Sequence, residues 1–331
     1  MRGVGSPPPG KGDPAGTVVI CTYDRSLLLA GALESLRSQE WEEDSPFEIL
    51  VVDDGPGEET RRAASRGGAR YVPAAGEGIA AARNVGIRES RGEWLAFFDD
   101  DQRASPGWLR ELLRVSRERE APVVAGARRL VPLERGISLP SHPRLRLYLG
   151  EEDWGESPRP LGPEELPNTG NVLVRKEVFR RVGGFDPSFI EGGEDTDFFT
   201  RARRQGVPLW AAPSARAEHL VGPGKVTPSW WKRRAQRGGA AEARIRRKGG
   251  GRVSLLTGLF RWGFLGSASL LLAGWKGLLG RREEALYRVF LFRHFLGYAR
   301  RVPALLPGPA GGKGGGAPSF RKRGGGEGVS W

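Results

Sequence analysis

Cysteine occurs once in the 331 residues, at Cys21. That excludes a disulfide framework and a thiolate-bound metal cluster, and it is compatible with a reducing cytosol. Glycine-rich phosphate cradles are missing too. The first apolar strand runs into Cys21-Thr-Tyr-Asp-Arg25 with no G-x-G-x-x-G turn, and no G-x-x-x-x-G-K-S/T motif occurs. The dinucleotide fingerprint and the P-loop are thereby excluded. Phosphate must be neutralised otherwise, and a divalent cation held by carboxylates, Mg²⁺ or Mn²⁺, is the natural candidate. Residues 1–16 contain a Pro-Pro-Pro run but no apolar core, and read as a disordered leader and not an export signal.

Acidic residues are scarce beyond residue 224. Residues 225–331 carry 22 Lys/Arg against 4 Asp/Glu, net +18, whereas residues 1–224 hold 30 against 35, net −5. Such a tail suits an anionic lipid surface or nucleic acid and says nothing about the chemistry of the front. Its longest uncharged run, 262–275, has 14 residues. A bilayer span needs ~20, so a re-entrant or interfacial segment fits better, with Trp262 and Trp275 at the interface; an oligomerisation or core-covering helical pair is the alternative. Residues 308–331, rich in glycine and basic, read as disordered.

What the front does contain is alternation. Strands are expected at 17–22, 47–52, 70–72 and 93–98, with helices at 26–39 and 79–89 between them. Ser105 and Pro106 supply a cap and a first-turn proline for a helix to about Ser116. The second half reads as strands at 123–131 and 171–175, a helical turn at 177–181, and a helix at 196–205 stopped by Gly206. Residues 207–210 read as a last edge strand, where Pro208 is tolerated. The stretch 135–165, which contains Tyr148 and Trp154, reads as a long loop or irregular insert. The fold class is α/β, a doubly wound and mostly parallel sheet with a basic, partly helical C-terminal extension. Ligands then belong beyond the carboxyl ends of the strands.

Two aspartate clusters fall at those ends: Asp53-Asp54 after the second strand and Asp99-Asp100-Asp101 after the fourth. Alternate positions on an extended segment share a side, so Asp99 and Asp101 are expected to converge while Asp100 points elsewhere. Glu194 and Asp195 open a helix after Gly192-Gly193, where the plain alternative is interaction with free helix N–H groups. Asp54-Gly55 has its own plain alternative, a strand-ending turn. Arg83 is a candidate partner for phosphate or a site carboxylate. His219 sits in what reads as a loop after the last strand.

Taken in order, several segments resemble the motifs of the family 2 glycosyltransferases with the GT-A fold. They are Val18-Val-Ile-Cys-Thr-Tyr-Asp-Arg25, Ile49-Leu-Val-Val-Asp-Asp-Gly-Pro56, Ala82-Arg-Asn-Val-Gly86, Phe98-Asp-Asp-Asp101, Gly183-Gly-Phe-Asp186 and Gly193-Glu-Asp-Thr-Asp197, within residues 17–220. The resemblance implies transfer of a sugar, with inversion, from a nucleoside-diphosphate donor to an acceptor hydroxyl. UDP is the first choice of nucleotide, with GDP or dTDP behind it, and the acceptor is a saccharide or a lipid-linked one. It implies Asp101 as direct metal ligand with Asp99 and His219 near the metal, and Asp99 or Asp100 toward the ribose. Asp53 and Asp54 fall toward the base, and Cys21, Thr22, Tyr23, Arg25 and Arg83 line the nucleotide. Asp195 matches the base that takes the acceptor proton, with Glu194 orienting the acceptor.

These readings divide the chain into a catalytic domain at 17–224, its nucleotide half at 17–101 and its acceptor half at 102–224, and an extension at 225–307. They place the enzyme in the cytoplasm against the inner membrane face, serving cell-envelope or glycolipid synthesis, with oligomerisation left open. A nucleotidyltransferase and a non-enzymatic nucleic-acid-binding scaffold are the competing classes. The acidic front and the lack of a nucleic-acid-binding pattern weigh against the latter.

Overall fold

A computed structural model describes residues 14–40, 46–190 and 192–306. Most of the leader, and the glycine-rich tail at 308–331, lie outside the described residues. The order is β1 (Gly16–Thr22), α1 (Ser26–Arg37), β2 (Phe47–Asp53), α2 (Glu58–Arg66), β3 (Arg70–Pro73), α3 (Ile79–Glu89) and β4 (Trp94–Phe98). Next come β5 (Gln102–Ala104), α4 (Trp108–Glu118), β6 (Val123–Pro132), α5 (Pro143–Tyr148), β7 (Arg159–Pro160), β8 (Asn171–Arg175), α6 (Lys176–Val182), α7 (Glu194–Arg204) and β9 (Leu209–Val221). A 3-10 turn at Pro223–Val226 leads into α8 (Pro228–Leu278) and α9 (Arg282–Leu305).

Strand periodicity sorts the core into two layers. Val18 and Ile20 of β1 face Leu29, Leu33, Trp108 and Leu112 on one side of the sheet, while Val19 faces Phe97, Val172, Phe198 and Phe199 on the other. Helices therefore cover both faces, as the alternation predicts. The strands run in the order β3-β2-β1-β4-β8-β6-β9-β5, with β7 on β9. The first four are parallel; β8 is antiparallel to both β4 and β6, and β9 is parallel to β6 but antiparallel to β5 and β7. The sheet is thus parallel at its nucleotide end and mixed beyond it.

Several local expectations need correction. Residues 207–210 are not an edge strand: β9 runs on to Val221 and lies between β6 and β5, with Val207 and Pro208 just before it. Pro208 prompted the edge reading, but a proline outside the strand removes no ladder bond. Ser105 does not cap α4, which starts at Trp108 after Gly107; the Ser105 carbonyl instead accepts the Trp108 N–H at 3.0 Å. Helix α2 and strand β5 carried too weak an apolar pattern to be expected. The stretch 135–165 holds α5 and β7, and Trp154 is buried with its Nε1 donating to the Gly126 carbonyl at 2.9 Å.

One irregularity organises the second half. The β6–β9 register jumps from Gly126 opposite Ala212 to Ala127 opposite Arg216, so residues 213–215 of β9 bulge out. Asn171, fully buried, fills the bulge. Its Nδ2 donates to the Ala127 and Ala215 carbonyls at 2.9 and 3.1 Å, and its Oδ1 accepts the Trp108 Nε1–H at 2.7 Å.

The extension is a helical pair. Trp231 and Ala235 of α8 and Phe290 of α9 pack on Leu130, Leu145, Leu149 and Val221, which fixes the pair to the sheet domain. The two helices touch backbone to backbone: a Cβ at Gly297 would stand 2.0 Å from the Gln236 carbonyl oxygen, and one at Gly239 equally close to that of His294. Glu242 joins the pair through Trp262 Nε1 at 2.9 Å and His294 Nε2 at 3.0 Å. Burial opposes its ionisation, but His294, Trp262 and Arg246 hold the carboxyl down at about 2. Beyond a kink at Gly251, Phe260, Phe264, Leu271, Trp275 and Leu278 are exposed. Trp262 is engaged by Glu242, so only Trp275 of the expected tryptophan pair is left facing outward. By length and composition α8 is long and apolar enough to cross a membrane, because a helix tolerates the single Arg261 that ended the 14-residue count.

The glycine contact predicts an outcome opposite to helix propensity. Gly297→Ala gains about 1 kcal/mol of intrinsic helix preference, yet the new methyl forces the helices apart at a cost of about 1–3 kcal/mol. A lower thermal midpoint by circular dichroism is expected, and a raised one would mean the backbones are not in contact.

Candidate active site

The carboxyl ends of β1, β2 and β4 gather one set of candidates. Strand β4 stops at Phe98, and Asp99, Asp100 and Asp101 turn back into β5. Strand alternation therefore does not apply to the triplet. Asp100 and Asp101, not Asp99 and Asp101, converge, both on Arg25: Nη2 lies 3.0 Å from Asp100 Oδ1 and Nη1 3.2 Å from Asp101 Oδ2. Thr22 Oγ1 donates to Asp100 Oδ2 at 2.6 Å. Asp99 turns the other way, toward Gln102 Nε2 at 3.3 Å and Arg128 Nη1 at 3.8 Å.

His219 reaches the same place from β9. It lies in the strand, opposite Gln102 of β5, and not in a loop, with Nε2 3.5 Å from Asp101 Oδ1. The bulge explains why it points there, since three inserted residues re-aim the second half of β9. Lys225, on the 3-10 turn, completes the group: Nζ is 2.7 Å from Asp101 Oδ2 and 3.0 Å from His219 Nε2. Burial works upward on both aspartates. Asp100 stays raised, whereas Lys225, His219 and Arg25 hold Asp101 well below the usual carboxylate range. Burial lowers the His219 imidazole and favours its neutral form.

The other candidates divide by what holds them. Asp53 is consumed by a turn, accepting the Gly55 and Gly57 N–H groups at 3.1 and 3.2 Å and the Tyr71 hydroxyl at 3.1 Å. Asp54 accepts the Gly78 N–H at 2.9 Å through Oδ2, and its buried Oδ1 has no hydrogen-bond partner. Tyr23 is exposed beside Gly55. Arg83 is buried and pairs with Glu194 at the start of α7, which ties the third motif to the last. Glu194 Oε2 remains buried and unpaired. Cys21 lies in β1 beside Thr22, and burial pushes its thiol up to about 12. Asp195 accepts its neighbour's Thr196 N–H through Oδ1 at 2.6 Å.

Sequence reasoning missed Arg128, Glu152, Gln102, Asn171 and Lys225. Arg128 Nε lies 3.1 Å from Glu152 Oε2, and burial raises that carboxyl to about 7 against the arginine. Gly170 admits this cluster: a Cβ there would collide with Arg128 Nη1 and Asp99 Oδ2. No local signal marks any of these residues, except that Lys225 follows His219 by six positions.

The arrangement is that of a GT-A glycosyltransferase, with carboxylates, arginines and an imidazole at the carboxyl edge of a mixed sheet covered by helices. The family model for glycosyl transferase family 2 matches residues 17–182, and that for the N-terminal domain of galactosyltransferase matches residues 163–221. The succinoglycan biosynthesis protein ExoM of Rhizobium meliloti is 30% identical over 238 residues, covering 68% of this chain and 73% of its own. A chondroitin synthase of Escherichia coli is 28% identical, over 63% of this chain and 35% of its own. Among solved structures, the mannosyltransferase PcManGT from Pyrobaculum calidifontis in complex with GDP-Man and Mn²⁺ superposes with a TM-score of 0.58 at 17% identity, covering 88% of each chain. S. aureus TarS 1-349 in complex with UDP gives 0.50 at 16% identity, over 87% of this chain and 90% of that one. The chain belongs to glycosyltransferase family 2, and it is a glycosyltransferase of polysaccharide or glycoconjugate synthesis.

A divalent cation fits the residues present. Asp101 Oδ1 and His219 Nε2 offer one oxygen and one nitrogen to a common point, and the Lys225 ammonium already stands beside both residues as a cation. Among the described residues no group of three or more His, Cys, Asp and Glu side chains is assembled for a metal, so Asp99 does not complete a triad. Two protein ligands suffice for an ion whose other positions go to water and substrate phosphate.

The bulge predicts a stability loss. Asn171→Ala leaves the Trp108 N–H and two carbonyls unpaired in the core, each costing about 1–3 kcal/mol. A fall in the denaturant midpoint equivalent to about 3 kcal/mol is expected; a neutral outcome would mean water replaces the side chain.

Proposed function

We propose that this is a metal-dependent, inverting glycosyltransferase that moves a sugar from a nucleoside diphosphate, UDP first and GDP or dTDP next, to a hydroxyl of a saccharide or lipid-linked acceptor. Residues 17–224 form the catalytic unit, 17–101 holding the nucleotide and 102–224 the acceptor. The observation that carries the reading is the gathering of Asp100, Asp101 and His219 beyond the end of β4, with the Arg83–Glu194 pair joining α3 to the start of α7, where Asp195 follows Glu194.

Asp54 faces the base with its unpaired Oδ1, while Asp53 shapes the turn that presents it. Thr22 and Arg25 fix Asp100 for the ribose. Asp101 and His219 would hold Mg²⁺ or Mn²⁺, which would supply charge to neutralise the departing diphosphate. Arg83 anchors Glu194, whose free Oε2 orients the acceptor hydroxyl. Asp195 takes the proton from that hydroxyl as general base, its Oδ1 steadied by the Thr196 N–H. Attack from the face opposite the diphosphate inverts the anomeric centre.

The exposed apolar side chains of α8, with the surrounding arginines, support peripheral attachment to the inner membrane face, where envelope or glycolipid acceptors lie.

Asp195→Asn is expected to lower turnover by about 10²–10⁴-fold while sparing donor binding, and Asp101→Asn to weaken metal-dependent donor binding by calorimetry. An active Asp195→Asn enzyme would refute the base, and retention in the product NMR would refute single displacement. No binding of UDP, GDP or dTDP sugars with Mn²⁺ or Mg²⁺ would sink the whole reading. In co-sedimentation with anionic vesicles the full chain should pellet, and less so at high salt; a chain that stays in the supernatant at low salt would remove the membrane from the proposal.

A further inference from the structure

We propose that Lys225 is a tethered cation that guards the metal position, so that a divalent ion enters only by displacing it. The inference rests on the reading of Asp101 and His219 as the metal-binding pair.

The geometry is specific. Lysine is a donor only, so an ammonium 3.0 Å from His219 Nε2 makes a hydrogen bond only if that nitrogen accepts. The lone pair it uses is the one a metal would take. The same ammonium sits 2.7 Å from Asp101 Oδ2, and Arg25 holds that oxygen from the other side. Lys225 thus engages both proposed ligands at once and balances the charge of a buried carboxylate that would otherwise be costly to hold. It is able to leave: its side chain is 16% exposed, and it stands on a short 3-10 turn, not in the sheet.

That turn has a second consequence. It joins β9 directly to α8, whose first turn is capped by Thr227 accepting the Trp230 N–H at 3.2 Å. The guard is therefore mounted on the root of the apolar extension. How α8 is seated sets where the Lys225 backbone stands relative to Asp101.

A ligand that binds only the lysine-free state has its affinity reduced by the fraction of molecules in that state. If Lys225 is away about one tenth of the time, Mn²⁺ binds about tenfold more weakly than the bare pair would allow. Mn²⁺ titration of the full chain, followed by the loss of the free-ion electron paramagnetic resonance signal, reads this directly and does not depend on turnover. Lys225→Met and Lys225→Gln should bind Mn²⁺ on the order of tenfold more tightly than the unaltered protein. Lys225→Arg, which keeps a cation of similar reach, and Lys232→Gln, which removes one exposed charge from α8, should stay near it. Circular dichroism melts confirm that each variant is folded.

Equal affinities for all the variants would overturn the guard and leave metal binding at the site intact. Weaker binding by Lys225→Met would likewise overturn it, since the lysine would then be assisting the ion. Tightening by Lys232→Gln as large as that of Lys225→Met would reduce the effect to general charge and overturn it also. Absence of Mn²⁺ binding in every variant, with UDP or GDP present as well as without, would overturn the metal reading together with the guard.

Discussion

The chemistry at the carboxyl end of the sheet hangs on one break in one strand. β9 accompanies β6 in register as far as Ala212, spends residues 213–215 outside the ladder, and resumes at Arg216. Were those three residues paired in the ladder instead, everything beyond them would slip by an odd number of positions against β6, and His219 would face the opposite side. A bulge in a buried strand leaves backbone groups unpaired, and a buried carbonyl without a partner is expensive. Asn171 answers with a side chain that donates to a carbonyl on each of the two strands and accepts from Trp108 on the helix behind them. One fully satisfied amide thereby connects β8, β6, β9 and α4.

Charge balance is the second organising constraint. The β4 turn buries two carboxylates and leaves a third part-buried, a state that two arginines and a lysine compensate, with the neutral His219 imidazole beside them. These side chains come from α1's leading loop, β6, the 3-10 turn and β9, so accommodating the aspartates draws distant parts of the chain onto one edge. The Arg83–Glu194 pair does the same between α3 and α7. The networks that make the site electrostatically tolerable also hold it in shape.

The extension belongs to the same architecture and is not an appendage beside it. Trp231 and Phe290 complete a cluster with Leu130 and Val221, and glycines at the α8–α9 crossing let the helix backbones meet. Apolar surface remains where neither helix nor sheet covers it, on the far part of α8. Of the two descriptions weighed from composition, the packed helical pair is present, and the far stretch of the same helix leaves apolar side chains exposed.

Much of this was legible in the residues. Continuous valine, isoleucine and leucine runs located the front strands, the 79–89 helix agrees with α3 at both ends, and the aspartates sit at strand ends because strands that bury both faces leave polar groups only at their termini. Those are local properties, carried by neighbours in the chain. The direction of each aspartate was not: Asp99 and Asp101 part because the strand ends before them. The setting of His219 depends on a bulge filled from β8, and the partners Arg128, Glu152 and Lys225 have no local mark at all. Sequence alone determined the elements with a strong apolar pattern and which residue types reach the sheet edge, since propensity and apolar period act over a few residues. Only the tertiary structure decided which side chains meet there, because hydrogen bonds and ion pairs across 44 to 124 residues exist only once the chain has closed on itself.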